Sequence, residues 1–202
     1  MGRKDTGRKL SRKGGRSNLR LGKFLMIGGV LVVGLGAGLY FVQGRSPEPR
    51  VIDAPDIEIA SLPPLSTEGS SIRGWHDMAN IPKSFMGRPL PKDEPQPDVA
   101  VQPASRHLGA LGRKDVVNLN YVVMNTGNKT LVIDNVVTSC GCTTASLSHN
   151  IIPTGHRADL AVRFDVGYHP MKPGEQVTRV VWLKTNDPDT PVAEARLTAT
   201  VK

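Results

Sequence analysis

The chain has 202 residues, a formal net charge of +8 and only 4% aromatic residues, so its core must be built from aliphatic side chains. Residues 1–23 hold nine of the 26 basic residues and one of the 18 acidic ones, which leaves the rest of the chain without net charge. A nucleic-acid-binding domain would instead carry its basic residues on a folded surface. We therefore expect no nucleic acid among the partners.

Residues 24–42, FLMIGGVLVVGLGAGLYFV, contain no charged side chain. A helix of this length spans about 28 Å, close to the hydrocarbon thickness of a bilayer. Because basic residues precede it, we predict a single-pass anchor at 24–42, a cytoplasmic tail at 1–23 and an extracytoplasmic C-terminal domain. The alternative is a cleaved signal peptide, but its apolar region is usually shorter and no A-x-A site follows Val42.

Residues 43–100 are predicted to form a proline-rich extended linker. Eleven of the 16 prolines lie between residues 43 and 103, and proline lacks the N–H that helices and sheet ladders require. One stretch, 74–82, contains a Trp, a His and a Met. It either docks onto the following domain or a partner, or is an ordinary piece of linker with a few apolar residues.

The sequence from residue 101 to 202 is predicted to form an all-β domain. Alternating apolar and polar residues, separated by turn signals, indicate strands at 116–124, 130–137, 158–166, 176–185 and 192–201. Alternation places Val117, Leu119, Tyr121 and Val123 on one face. Five or more short strands without a helical pattern favour an antiparallel β-sandwich.

Motifs of the common enzyme classes are missing from the sequence. It contains no G-x-S-x-G, no glycine-rich phosphate loop after a strand and no H-E-x-x-H. We therefore predict a protein without catalytic turnover of its own.

Four short motifs follow one another through the C-terminal domain. They are Y-x-V-x-NTGN at 121–128, L-x-I-x-x-V-x-x-SCGCT at 131–143, Ile152-Pro153, and TNDP at 185–188. In this order they resemble the DUF1573 family of exported bacterial domains, although the chain has Pro153-Thr154-Gly155 where the family usually has Pro-Gly. The resemblance implies an immunoglobulin-like sandwich akin to ASH and PapD-like modules, and it implies no established activity.

The SCGCT motif contains the only two cysteines, Cys140 and Cys142. In an extended strand such residues lie about 6.6 Å apart, so a turn at Gly141 would have to shorten that distance before a disulfide could form. A bridge across so few residues stabilises little by chain entropy. A labile or redox-active pair, a thiolate metal site and an inert pair all remain open.

A metal site would need donors from elsewhere, because two thiolates supply half of a tetrahedral set. His149 and His156 lie in the same loop region as the cysteines. Weaker candidates come from two H-x-M triplets, namely His76, Met78, His169 and Met171. Thiolate, imidazole and thioether together suit copper better than zinc.

These observations predict a membrane-anchored, exported β-sandwich that binds or scaffolds an unidentified protein of the cell envelope, with a C-x-C site in a loop. It would contact the bilayer through residues 24–42 and lie in the cell membrane with its N-terminus in the cytoplasm. The alternative is a copper- or thiol-handling accessory protein that uses Cys140 and Cys142 with His and Met donors.

Overall fold

The computed structural model describes residues 48–56, 61–77, 79 and 94–202, which contain eleven β-strands and one short 3-10 helix, Val166–Tyr168. The strands are β1 Val51–Asp53, β2 Ile72–Gly74, β3 Val99–Gln102, β4 Ser105–Leu111, β5 Val116–Asn125, β6 Leu131–Thr138, β7 Thr143–Leu147, β8 Ile151–Ile152, β9 Arg157–Asp165, β10 Gln176–Thr185 and β11 Val192–Val201. The predicted tail and the predicted anchor at 24–42 lie outside the described residues. Within the described part of the chain, no helix is long and apolar enough to cross a membrane.

The strands form two sheets that enclose one aliphatic core. The first has the order β1-β5-β9-β7-β2, with β3 also on β5, and the second has the order β4-β11-β10-β6-β8. The predicted all-β sandwich is confirmed. Both sheets are mixed rather than purely antiparallel, because β1 runs parallel to β5 and β4 runs parallel to β11.

The core follows the alternation of the long strands. Val117, Leu119, Tyr121 and Val123 are all buried, as predicted from the sequence, and β9 contributes Phe164 to the same core. The Tyr121 hydroxyl donates a 2.8 Å hydrogen bond to the carbonyl of Arg196. Burial raises the pKa of Tyr121 to about 12, although the charge of Arg106 acts in the opposite direction.

Part of the segment predicted as a linker adds strands to the first sheet. β1 pairs with the start of β5 and β2 pairs with β7, so these segments lie along opposite edges of that sheet. Gly74 at the end of β2 is buried, and a Cβ added there would lie 2.5 Å from Val136 Cγ1. Only glycine therefore allows the segment to pass this close to β6.

Candidate functional site: the disulfide turn

Residues 139–142 connect β6 to β7, and together with Thr143 they form what we call the disulfide turn. The Thr143 N–H donates a 3.0 Å hydrogen bond to the Cys140 carbonyl, so residues 140–143 form a β-turn. This turn brings the Cα atoms of Cys140 and Cys142 to 5.2 Å, and the two residues are joined by a disulfide. A hydrogen-bonded turn therefore shortens the Cα–Cα distance between the two cysteines, as the sequence spacing required for a disulfide.

Gly141 allows an aromatic side chain to lie against the turn. A Cβ added at this position would be 3.0 Å from the hydroxyl of Tyr168, which comes from the 3-10 helix. Tyr168 is 58% exposed, and its ring meets that of His169 edge to face with centroids 4.8 Å apart. The turn is thus covered on one side by a ring that remains largely in solvent.

The two sulfur atoms have different surroundings. Cys142 is 2% exposed and belongs to the core, whereas Cys140 is only partly buried at its edge. Cys140 Sγ accepts a 3.1 Å hydrogen bond from the Cys142 N–H. Cys142 Sγ accepts a 3.0 Å hydrogen bond from Nε of Arg179. The buried sulfur is therefore the one that contacts a cation.

Arg179 lies on β10 in the row that faces the core, between the buried residues Val177 and Val181. Its guanidinium lies 5.8 Å from the centroid of the Phe164 ring, and its Nη1 donates a 2.8 Å bond to the Thr178 carbonyl. Burial lowers the pKa of Arg179, and the Glu175 carboxylate partly offsets this. Arginine stays protonated in proteins even so.

The backbone of the turn is tied to both sheets. Ser139 and Val180 exchange two hydrogen bonds of 2.9 Å, one through the Ser139 N–H and one through its hydroxyl. The Cys142 carbonyl accepts a 2.8 Å bond from the Asp165 N–H at the end of β9. The turn is consequently a rigid feature of the sandwich rather than a loose loop.

Part of the segment predicted as a linker lies beside the end of β6 that leads into this turn. Trp75 pairs with Val137, and its carbonyl accepts a 3.0 Å bond from the Thr138 N–H. The Trp75 residue is 60% exposed. His76 Nδ1 lies 2.9 Å from the Thr138 carbonyl oxygen, and the Thr138 hydroxyl donates a 3.2 Å bond to the Cys140 carbonyl.

The structure brings some of the candidate metal donors close to the disulfide turn and not others. His76 and His169 lie close to the disulfide turn through Thr138 and Tyr168. Met171 packs in the core, and Met78 lies outside the described residues.

His149 and His156 are not brought to the cysteines. His156 precedes β9, whose opposite end contacts Cys142, so about 26 Å of strand separates them. His149 adjoins Asn150, which pairs with Ile133 near the start of β6, roughly 20 Å from Cys140. In the described ranges no three His, Cys, Asp or Glu side chains form a group that could hold a metal. His149 and His156 therefore lie far from Cys140 and Cys142, although the four residues are close in sequence.

Two of the other three motifs, TNDP and NTGN, have structural roles at the opposite end of β6. The Asp187 carboxylate of the TNDP motif is buried and accepts bonds from the N–H groups of Val99, Asp189 and Thr190, at 2.9, 2.8 and 3.1 Å. In the NTGN motif, the Asn125 amide donates to the Lys129 and Ile152 carbonyls at 2.8 and 2.9 Å. These side chains shape turns and join strands.

Arg179 and Tyr168, which were not predicted from the sequence, thus complete the site around the predicted cysteines. Arg179 carried a usable signal, since a charged residue in a core-facing row of a strand is rare unless it is paired. Tyr168 carried no such signal, because its position beside the turn depends on the path of the chain after β9.

Residues 100–201 match the family described as "Protein of unknown function (DUF1573)". The chain belongs to this family. The DUF1573 match begins within β3 and ends with β11, so it includes the disulfide turn, Tyr168 and Arg179 but not Trp75. The immunoglobulin-like sandwich predicted from the resemblance agrees with the observed two-sheet architecture.

The solved structures that this chain is similar to are distant in sequence. A protein of unknown function from Porphyromonas gingivalis W83 is 16% identical, with a TM-score of 0.47, 60% of this chain covered and 51% of that protein's chain. The ASH/PapD-like domain 7 of human CEP192 is 9% identical, with a TM-score of 0.41 and coverages of 61% and 97%. No curated protein matches the chain.

Proposed function

We propose that this protein is a membrane-anchored, exported binding module of the cell envelope that docks a partner protein at the disulfide turn. The observation that carries the proposal is the position of its exposed aromatic residues. Five large hydrophobic residues of the described part are exposed, and the two aromatic ones, Trp75 and Tyr168, both flank this turn. Exposed aromatic residues on a rigid support are typical anchors of protein interfaces.

The support beneath these rings favours binding. Trp75 is held by its backbone to β6, and Tyr168 lies against a turn that is hydrogen-bonded to β9 and β10. A partner that covers them would therefore lose little conformational freedom on the side of this protein. Binding without turnover also accords with the lack of enzyme motifs in the sequence.

Docking is tested by placing a photo-crosslinking amino acid at position 75 or 168 of the full chain in growing cells. We expect one discrete adduct common to both positions. The matched control is position 154, an exposed residue in the β8–β9 turn, two residues before His156. Trp75→Ala should lower the yield from position 168 by on the order of tenfold or more, as for a central interface residue. The same adducts at position 154, or none at 75 and 168, would contradict the proposal.

Anchoring is a separate part of the proposal and rests on the apolar segment 24–42 and the basic residues before it. Alkaline phosphatase fused after Lys202 should be active, and deletion of residues 24–42 should abolish that activity. Epitope tags at the two termini should remain on one polypeptide in the membrane fraction. Separation of the tags would favour the cleaved signal peptide, and a reporter active only in the cytoplasm would overturn the orientation.

A further inference from the structure

The Cys140–Cys142 disulfide is chemically asymmetric, and this asymmetry is independent of any partner at the aromatic residues. Cys142 Sγ is buried and accepts a hydrogen bond from the Arg179 guanidinium at 3.0 Å. Cys140 lies at the edge of the core and is partly exposed. A nucleophile from solvent therefore meets Cys140 first.

We infer that this disulfide is an exchange site for a dithiol, in which Cys140 is the sulfur that is attacked and Cys142 is the sulfur that leaves. Attack requires a thiolate to approach in line with the S–S bond. The burial of Cys142 prevents such an approach to its sulfur. Departure requires negative charge to develop on the leaving sulfur. That charge would develop on Cys142 Sγ, to which the Nε–H of the Arg179 guanidinium already donates a hydrogen bond.

The exchange proceeds in two balanced steps. A thiolate of the dithiol forms a bond to Cys140 Sγ, the bond between Cys140 and Cys142 breaks, and its electron pair goes to Cys142 Sγ. The second thiolate of the dithiol then attacks the first sulfur of the same molecule, which is bonded to Cys140 Sγ in the mixed disulfide. This step releases Cys140 as a thiolate. The dithiol is oxidised to a disulfide, and the pair Cys140 and Cys142 is reduced by two electrons. The two protons that the cysteines take up come from the dithiol, either directly or through solvent.

Arg179 is placed to stabilise the leaving thiolate. In apolar surroundings a thiol has a raised pKa and leaves poorly, whereas an adjacent arginine lowers the thiol pKa. The guanidinium is held in position by the Phe164 ring and by the Thr178 carbonyl. It therefore needs little rearrangement as charge develops on Cys142.

The backbone of the turn keeps the two cysteines together in either redox state. The bond from Thr143 to the Cys140 carbonyl, the pair between Ser139 and Val180, and the bond from Asp165 to Cys142 involve no sulfur. Reduction should consequently leave the turn in place, so that the disulfide can form again.

The site of attack is tested on the wild-type full chain in detergent micelles with reduced glutathione. The reaction is stopped with acid, free thiols are alkylated, and tandem mass spectrometry locates the glutathione adduct within the peptide. We expect the adduct on Cys140 at least tenfold more often than on Cys142. Equal labelling, or a preference for Cys142, would overturn the assignment.

The role of Arg179 is tested in a Cys140→Ser background, where Cys142 is the only thiol. Arg179→Met should shift the alkylation of Cys142 to higher pH, because the adjacent cation that favours the thiolate is gone. With both cysteines present, the same change should slow reduction by glutathione about threefold. Arg179→Lys should restore part of both effects.

Lys184→Met is the matched control, because it removes one positive charge from an exposed position near the other end of the same strand. Arg179→Met values that equal this control would overturn the role of Arg179. If Arg179→Met does not fold, Arg179→Lys supplies the same comparison. A negative crosslinking result at positions 75 and 168 would leave the exchange chemistry unaffected, so the two proposals fail separately.

Discussion

At one end of β6, the Asp187 carboxylate is 2% exposed and all its described partners are backbone N–H groups of the same domain. At the other end, the backbone of the disulfide turn is hydrogen-bonded to β9 and β10, but the residue Cys140 is partly exposed. The residues Trp75 and Tyr168, which are 60% and 58% exposed, adjoin it. Both turns belong to motifs that carried the family resemblance, yet their bonding differs.

The difference separates structural motifs from sites. A buried polar group that has its full set of partners within the domain contributes to folding and offers nothing to a ligand. A rigid turn that presents exposed aromatic residues and a partly exposed cysteine retains the capacity to bind or to react. We therefore propose that the Asp187 turn contributes stability and that the disulfide turn contributes function, and the following predictions test that division.

The largest effect is expected from Asp187→Ala. It leaves three backbone N–H groups without their acceptor in a buried setting, so the free energy of unfolding should fall by about 3 kcal/mol or more. The measurement is urea denaturation of the full chain in detergent, followed by tryptophan fluorescence. Asp189→Ala, at an exposed position of the same turn, should change stability by less than about 0.5 kcal/mol. A loss below 1 kcal/mol for Asp187→Ala would remove the contrast between the two turns.

Reduction of the wild-type disulfide should have a smaller effect. A bridge that closes a loop of so few residues contributes about 1.6 kcal/mol through the chain entropy of the unfolded state. The oxidised and reduced full chains are compared in the same urea titration. The Cys140→Ser/Cys142→Ser variant serves as the control, since its stability should not respond to the reductant. A cost that matched that of Asp187→Ala would give the disulfide a structural role.

The smallest effect concerns Asp115, a buried carboxylate just before β5 at the disulfide end. Burial opposes its ionisation, but the bonds from Arg50 at 2.6 Å and the Gly112 N–H at 2.7 Å outweigh this and lower its pKa. Because the folded pKa is below the unfolded one, the stabilisation is complete above the unfolded pKa of about 3.9 and is lost as pH falls through the folded value.

Asp115→Asn should therefore cost no more than about 1 kcal/mol at neutral pH, since the side chain of Arg50 is 63% exposed and solvent screens the pair. The gap to wild type should stay constant from pH 7 to about 5 and close as the pH falls below about 4. Urea titrations across this range check it, with Arg50→Gln expected to show a weaker pH response. A gap that widened in acid would contradict the sign.

The success of the sequence prediction followed the length and alternation of each strand. The strand predicted at 176–185 is observed as Gln176–Thr185, and the one predicted at 192–201 as Val192–Val201. β7, Thr143–Leu147, was missed because threonine and serine conceal its alternation, although Thr143, Ala145 and Leu147 are buried. β1 and β2 have three residues each and lie in proline-rich sequence, so only their partner strands define them.

The sequence by itself determined the all-β class, the inward face of the long strands and the two cysteines as the centre of the site. These properties depend on local chemistry, because a strand alternates with a period of two and a thiol pair is visible wherever it lies. The tertiary structure alone decided which side chains meet the pair. Sheet register places Arg179 beside Cys142, although they are 37 positions apart in the sequence. It also places His156 at the end of β9 that is far from the cysteines. Register is set by the packing of whole strands.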